Sequence, residues 1–286
     1  MTDKRPRRVI VSADDYGLAP GVSDGIRELL ERGRLSATSC MTASPYWAEH
    51  AARLEPCGNY DLGVHLTLTD QTPLTSMPEL APSGKLPPPG RLLRRCLAGR
   101  LPRDEVRAEI AAQLDAFEAA MGRAPDHIDG HHQTHQFPVV RDLVVEAVAA
   151  RYGKAARRPY IRVCTPLPAR VRHPMLAMRA LGIGWFAPRL RRRARAAGLP
   201  VNDGFAGVYD FDAPAPYETF FEPFLHGLRD TTIIMCHPGH ADDALRNLDS
   251  LIDRREDEYR FFAGDLYPSL LARAGAVLSR FPVPSP

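Results

Sequence analysis

The sequence predicts an α/β fold of the (β/α)-barrel-like kind, with mostly parallel strands in a single domain over residues 1–286. Three observations carry this expectation. Apolar runs of strand length alternate with amphipathic stretches of helix length, the pattern of a parallel sheet with helical crossovers. The 286 residues, 44% of them hydrophobic, suffice for the core of one barrel, for which about 250 residues is ordinary. Side chains able to ligate metal or move protons recur in four separated strand regions, mostly at C-terminal ends, where such a barrel gathers its chemistry.

Taken in order, Arg8–Ala13 reads as a buried strand closed by the turn Asp14-Asp15-Tyr16-Gly17. Gly21–Arg32 follows as a helix, with Val22, Ile26, Leu29 and Leu30 at helical spacing. Leu35–Met41 is a second strand and Trp47–Leu54 a second helix. In a third strand, Leu62–Leu68, alternation puts Val64, Leu66 and Leu68 on one face and His65 and Thr67 on the other. Residues Thr69–Pro89, rich in Pro, Gly and Ser, read as a long functional loop. Arg103–Met121 is an amphipathic helix, with Val106, Ile110, Leu114 and Phe117 about one turn apart. His127–Asp129 is the next strand and Val139–Tyr152 the next helix. Tyr160–Val163 and Thr232–Met235 are later strands, and Ala276–Phe281 is expected to close the sheet.

A helical insertion is expected near residues 165–200. Eight arginines lie there between Arg170 and Arg195, among Met175, Leu176, Met178, Leu181, Trp185 and Phe186. Read as a helical pair, its arginines are solvated and its apolar side packs on the barrel or on a second subunit, which would make a homodimer. That reading outweighs a patch for a membrane surface or an acidic ligand.

Bulk properties exclude several classes. A net charge of +3 gives little support for nucleic-acid binding. The basic Met1–Arg8 segment leads into a strand-length apolar run rather than a secretory h-region. No apolar stretch reaches the roughly 18 residues that a membrane span needs. The five scattered cysteines, Cys40, Cys57, Cys96, Cys164 and Cys236, form no CxxC pair and read as reduced thiols, so a cytoplasmic location is expected. Neither a GxxxxGK[ST] phosphate loop nor a GxSxG elbow occurs, and Gly182-Ile183-Gly184 lacks the third glycine of a dinucleotide site.

Asp14-Asp15 could simply serve a turn. Two adjacent carboxylates at the end of a hydrophobic strand repel each other, however, unless a cation or a shared proton relieves them. One can then ligate a metal while the other acts as general base, in either order. Four of the ten histidines fall within His127-Ile128-Asp129-Gly130-His131-His132-Gln133-Thr134-His135. Gly130 permits a sharp turn, and of the adjacent His131 and His132 only one can readily reach a given ion. His127 reads as structural and His135 as a bond across the loop. His65 alone would be an ordinary core histidine, but with the Asp pair and the His131 loop at one sheet edge it suggests a metal site. His237, before Pro238-Gly239 at the end of a buried strand, suits a general acid.

Together, Ala13-Asp14-Asp15-Tyr16-Gly17-Leu18, Gly63-Val64-His65-Leu66-Thr67-Leu68, the His127–Pro138 block and Met235-Cys236-His237-Pro238-Gly239 resemble the signature segments of the YdjC-like carbohydrate deacetylases, of chitooligosaccharide type. Phe205-Ala206-Gly207-Val208 and the stretch Asp249–Glu256 resemble later segments of the same family. The resemblance implies a (β/α)-barrel-like hydrolase that removes an acetyl group from an N-acetylated sugar by metal-activated water. Carried over by position, Asp15, His65 and His131 would hold a divalent ion, Mg²⁺ or Zn²⁺, with Asp14 as general base and His237 as general acid. Arg162 and Tyr16 are expected beside the substrate, and His127, His132 and His135 behind the ligands. The N₂O donor set suits Zn²⁺, Co²⁺ or Mn²⁺ better than Mg²⁺ on ligand softness. Two departures bear on the pocket: Gln133 stands where the family usually has histidine, and Tyr16 where it has phenylalanine. The competing readings are a metal-dependent hydrolase of another amide or ester, and a sugar-binding barrel without catalysis. Every expected ligand and acid–base position is filled, which opposes the latter.

Overall fold

The computed structural model of the chain describes residues 7–165 and 174–282, with backbone alone over 174–183. Its strands are β1 (Arg7–Tyr16), β2 (Ala37–Cys40), β3 (Asp61–Leu66), β4 (His127–Gly130), β5 (Tyr160–Ile161), β6 (Gly204–Ala206), β7 (Thr232–Cys236) and β8 (Ala276–Leu278). Its helices are α1 (Pro20–Glu31), α2 (Trp47–Ala51), α3 (Pro89–Leu97), α4 (Arg103–Met121), α5 (Val140–Tyr152), α6 (Pro174–Ala196), α7 (Glu218–Phe224), α8 (Asp243–Arg246), α9 (Ile252–Ala263) and α10 (Leu266–Arg273). The strands form one sheet in the order β5-β4-β3-β2-β1-β7-β6, with β8 on β1, and every pairing is parallel.

The sheet curls until its edges nearly meet. A parallel bridge joins Ile161 to Val201, just before β6. Buried Asn202 then acts as a piece of backbone. Its Oδ1 accepts the Val163 N–H at 2.6 Å, and its Nδ2 donates to the carbonyls of Val163 and Gly204. Closure therefore comes from this short segment, not from Ala276–Phe281 as the sequence suggested. β8 instead extends the N-terminal end of β1, pairing Arg7–Val9 with Ala276–Leu278.

Strand alternation divides the core in two. Val9, Val11 and Ala13 of β1 pack with Val64, Leu66, Ile128, Ile161, Ile234 and Cys236 beneath the helices. Ile10, Ala37, Tyr160, Phe205, Ile233 and Met235 meet inside the curl. Phe281 stacks on Tyr160 at 4.1 Å and donates its N–H to Asp61 at the start of β3, which stoppers the N-terminal end. Toward the C-terminal ends the same inward faces turn polar, with buried Ser12, Asp14, Ser39, His65, His127, Asp129 and Arg162.

The insertion differs from the expected helical pair. Among the described residues it is one helix, α6; residues 166–173 and the side chains of Met175, Leu176, Met178 and Leu181 lie outside the described residues. Ala187, Leu190 and Ala194 bury against the core, and Phe186 meets Phe137 edge-on at 6.0 Å. Elements α3, β6, α7, α8, α9 and α10 were not expected from the sequence. No helix among the described residues is long and apolar enough to cross a membrane.

Candidate active site

A β-bulge in β1 builds the centre of the site. Ala13 pairs with Thr38 and Tyr16 with Cys40, so β1 carries one residue more than β2 over this stretch. Asp15 takes the extra place with φ +72°, a left-handed conformation that Asp tolerates better than most side chains. In a regular strand Asp14 and Asp15 would face opposite sides of the sheet. The bulge lets both enter the mouth of the curl, each 2% exposed. It also reverses the parity beyond it and sends Tyr16 outward. Tyr16 is fully buried beneath α2, and its hydroxyl donates to the His50 carbonyl at 2.7 Å. This corrects the expectation that Tyr16 contacts substrate.

His65 and Asp129 are paired neighbours on β3 and β4. His65 Nδ1 donates to Asp129 Oδ1 at 2.6 Å, which leaves Nε2 as the lone-pair nitrogen. Nε2 lies 3.4 Å from Asp15 Oδ1 and 3.9 Å from Asp14 Oδ2. His131 Nδ1 lies 3.0 Å from the same Asp15 oxygen. The ligand atoms of Asp15, His65 and His131 fall within 4.8 Å of one another, as do those of Asp14, His65 and Asp129. The hydrogen bonds favour the first set, because Asp129 is engaged with His65 Nδ1 and both Asp14 oxygens with Arg162.

Charge balance tests whether a cation fits. Among the described residues, Asp14, Asp15, Asp129 and Asp249 pair with two guanidinium groups, those of Arg162 and Arg255. A divalent ion would neutralise the surplus of two negative charges. Without one, protons are drawn in: burial disfavours a charged His65, yet Asp129 and Asp14 outweigh it and push the imidazole up to about 10. Burial likewise opposes ionisation of Asp15, but Arg255 and His131 hold its carboxyl well below the usual range.

Both aspartates are held from behind. Arg162 grips Asp14 with two bonds, 2.6 Å to Oδ1 and 2.7 Å to Oδ2, and reaches Asp129 at 3.1 Å. Arg162 is fully buried, so it orients Asp14 rather than lying open to substrate, a second correction. Arg255 NH2 binds Asp15 Oδ2 at 2.6 Å and is itself paired with Asp249, leaving Oδ1 to face the two histidines.

The remaining histidines lie around this centre. His127 Nε2 donates to Ser39 Oγ at 3.0 Å and Ser39 to Asp129 at 2.5 Å, while the ring stacks on Tyr160. Gly63 makes room for that ring, since a Cβ there would stand 2.2 Å from Nε2. The loop after β4 winds as a short 3₁₀ turn, His131–Gln136, with His132 and Gln133 in left-handed conformations. His132 turns toward the loop after β3, 2.9 Å from Thr69 Oγ1, with its ring centre 3.9 Å from that of His131. His135 Nε2 donates to the Arg162 carbonyl at 2.8 Å, and burial lowers its pKa to about 4. Gln133 is buried beside Met235 with Oε1 unpartnered.

His237 follows β7 on the same rim as Asp14, since Ala13 pairs with Cys236 one residue earlier on each strand. Its ring packs edge-on against Phe211 at 5.4 Å, with Nδ1 buried and unpartnered. Burial lowers its pKa, with Asp15 and Asp14 acting in the opposite sense. The structure thus brings Asp14, Asp15, His65, His131 and His237 to one mouth. Sequence reasoning assigned nothing to Asp129, Asp249, Arg255 or Glu258. Asp129 had a usable signal, alternation onto the inward face with His127; Asp249 and Arg255 lie in the family-like stretch Asp249–Glu256 and Glu258 just beyond it, but all three are more than 230 residues from Asp15 and nothing local ties them to it.

The fold is a curled, parallel (β/α)-barrel-like sheet with a carboxylate–imidazole cluster at its C-terminal mouth. The chain belongs to the YdjC-like protein family, whose sequence model matches residues 8–273. It is 31% identical over 277 residues to a carbohydrate deacetylase of Geobacillus stearothermophilus, covering 96% of each chain. A chitooligosaccharide deacetylase of Enterobacter sp. (strain 638) is 38% identical over 151 residues, 52% of this chain and 58% of that one. That second match spans little more than half of either protein. A cellobiose-phosphate cleavage protein candidate from Enterococcus faecalis V583, known from its crystal structure, superposes with a TM-score of 0.70 at 23% identity. That superposition covers 96% of this chain and 97% of the other, and shows a shared fold.

Proposed function

We propose that this chain, as one domain, is a divalent-metal-dependent hydrolase that removes the acetyl group from an N-acetylated sugar or oligosaccharide. One observation carries the reading: Asp15 Oδ1, His65 Nε2 and His131 Nδ1 converge in a mouth with two uncompensated negative charges, directly beside a second carboxylate held in place by Arg162. The full-length relative named a carbohydrate deacetylase supports the substrate class.

Asp15, His65 and His131 would hold the ion, and this N₂O set suits Zn²⁺, Co²⁺ or Mn²⁺ better than Mg²⁺. When bound, such an ion supplies Lewis acidity, making a water nucleophilic near neutral pH and stabilising negative charge on the acetamide oxygen. Asp14 keeps lone pairs beyond those engaged by Arg162, and it takes the proton of the attacking water. Arg162 fixes the plane of that carboxylate and balances its charge in the buried mouth. Expulsion of the amine needs a proton, because an amide anion leaves very poorly, and His237 on the same rim delivers it. Five cysteines without a disulfide fit a reducing, cytoplasmic compartment.

Acetate release from N,N′-diacetylchitobiose tests the reading. It should stop in chelator and return with added Zn²⁺ or Mn²⁺. Asp14→Asn should keep its metal yet lose about two to four orders of magnitude in rate, the usual range for loss of a general base. Unchanged turnover in that variant would remove Asp14 from the chemistry.

A further inference from the structure

Helix α9 reaches the site from the far end of the chain and places two ionisable side chains beside it. Arg255 and Glu258, three residues apart on one helical face, are 1% and 0% exposed. Arg255 serves Asp15, as described above. The carboxylate of Glu258 turns instead to the loop that carries His237. The His237 N–H donates to Glu258 Oε2 at 2.6 Å, and Tyr209 OH to Glu258 Oε1 at 2.5 Å.

The same loop is tied to α9 at two further points. Gly239 N–H donates to the Arg255 carbonyl at 3.1 Å, and Ala241 N–H to Glu256 Oε1 at 2.8 Å. Pro238 has no N–H, so every alternate residue from 237 to 241 is anchored on one helix. The wall behind the imidazole belongs to the same arrangement. Phe211 touches the His237 ring edge-on and packs on Tyr209 at 4.4 Å, and the Tyr209 ring also stacks on Phe220. An interior carboxylate costs several kcal/mol of solvation unless its partners replace the lost water. An apolar side chain of similar volume would fill this place more cheaply, so the acid needs a reason beyond packing.

We infer that Glu258 is a positioning residue, fixing the His237 backbone directly and its ring wall through Tyr209, so that α9 sets where the proton donor stands. The inference rests on the reading of His237 as that donor. A group that acts only through His237 should matter only where His237 matters. Loss of Glu258 should therefore depend on the leaving group and should vanish once His237 is gone.

The experiment compares E258Q, H237A and the double variant on N,N′-diacetylchitobiose and on 4-nitrophenyl acetate, whose leaving group needs no proton. Bound metal is measured in each protein. E258Q should lose about ten- to a hundredfold in kcat on the amide, with KM within about twofold, and stay within about threefold on the ester. In the H237A background the same change should cost no more than about a further twofold. Equal losses on both substrates, or losses that multiply in the double variant, would overturn the inference. Should E258Q fold poorly, Y209F removes one anchor of the carboxylate with little change in packing. Y209F should then show a smaller loss with the same preference for the amide, and an equal loss on both substrates would again overturn the inference. If H237A alone hurts both substrates equally, the donor reading fails, while non-additivity with E258Q still upholds positioning.

Discussion

Asp129 would bind no ion, yet it ties four residues of the site together. It accepts from His65 and Ser39, pairs with Arg162, and reaches His127 through Ser39. Its task is to keep the His65 proton on Nδ1, so Asp129→Asn should weaken Zn²⁺ binding about 10- to 100-fold in a metal titration. Unaltered affinity would mean that His65 needs no such tether. Arg255 poses a stability question. Arg255→Met would leave Asp15 and Asp249 without their buried partner and should cost about 3–5 kcal/mol of unfolding free energy. Arg260→Ala, at an exposed site on the same helix, should stay within about 0.5 kcal/mol. Glu258 supplies a pH dependence, since burial pushes its carboxyl from 4.5 up to about 7. The folded value lies above the unfolded one, so the fold favours the protonated acid. That contribution is full below pH 4.5 and is lost as pH rises through about 7, a span worth about 3 kcal/mol. Denaturation of wild type and E258Q from pH 4.5 to about 8 should show this component in wild type alone. At this scale the sequence was legible in its short motifs, since Asp15, His65 and His131 do converge within 4.8 Å of one another. It misled at Tyr16, because nothing local announces a bulge that reverses parity.

Elements place these residues through features that periodicity does not report. β1 was expected to end before the aspartates; it runs through them to Tyr16 because the bulge keeps the ladder with β2 alive on either side. α4 was read correctly as amphipathic, but its polar stripe has a use of its own. Gln113 exchanges two hydrogen bonds with the Thr67 backbone. Glu109 accepts from the N–H groups of Leu74 and Thr75, and Glu105 from those of Glu79 and Leu80. The long loop after β3, which brings Thr69 to His132, is therefore pinned along α4. Glu109→Ala should release it, speeding tryptic cleavage after Lys85 at least several-fold while leaving metal affinity unchanged. Cleavage at the wild-type rate would show that the loop is held elsewhere.

Across the whole molecule the parallel sheet and the site's rim were legible because strand–helix alternation fixes the rim before any contact is known. Closure was not legible. It depends on Asn202 standing in for backbone between Val163 and Gly204, a role that no propensity reports. Nor was the meeting of the chain's ends, by which Arg255 and Glu258 complete a centre begun at Asp14 and Asp15. Stoichiometric reconstitution shows whether this convergence is the one-ion hydrolytic site proposed above. Metal-stripped protein is titrated with Zn²⁺ while acetate release from N,N′-diacetylchitobiose is followed, for wild type and His65→Ala in parallel. Activity in wild type should rise linearly and level off at about one ion per chain, while His65→Ala should bind at least about tenfold more weakly and stay inactive. Acetate release from the stripped protein, or full-affinity binding in His65→Ala, would contradict the account.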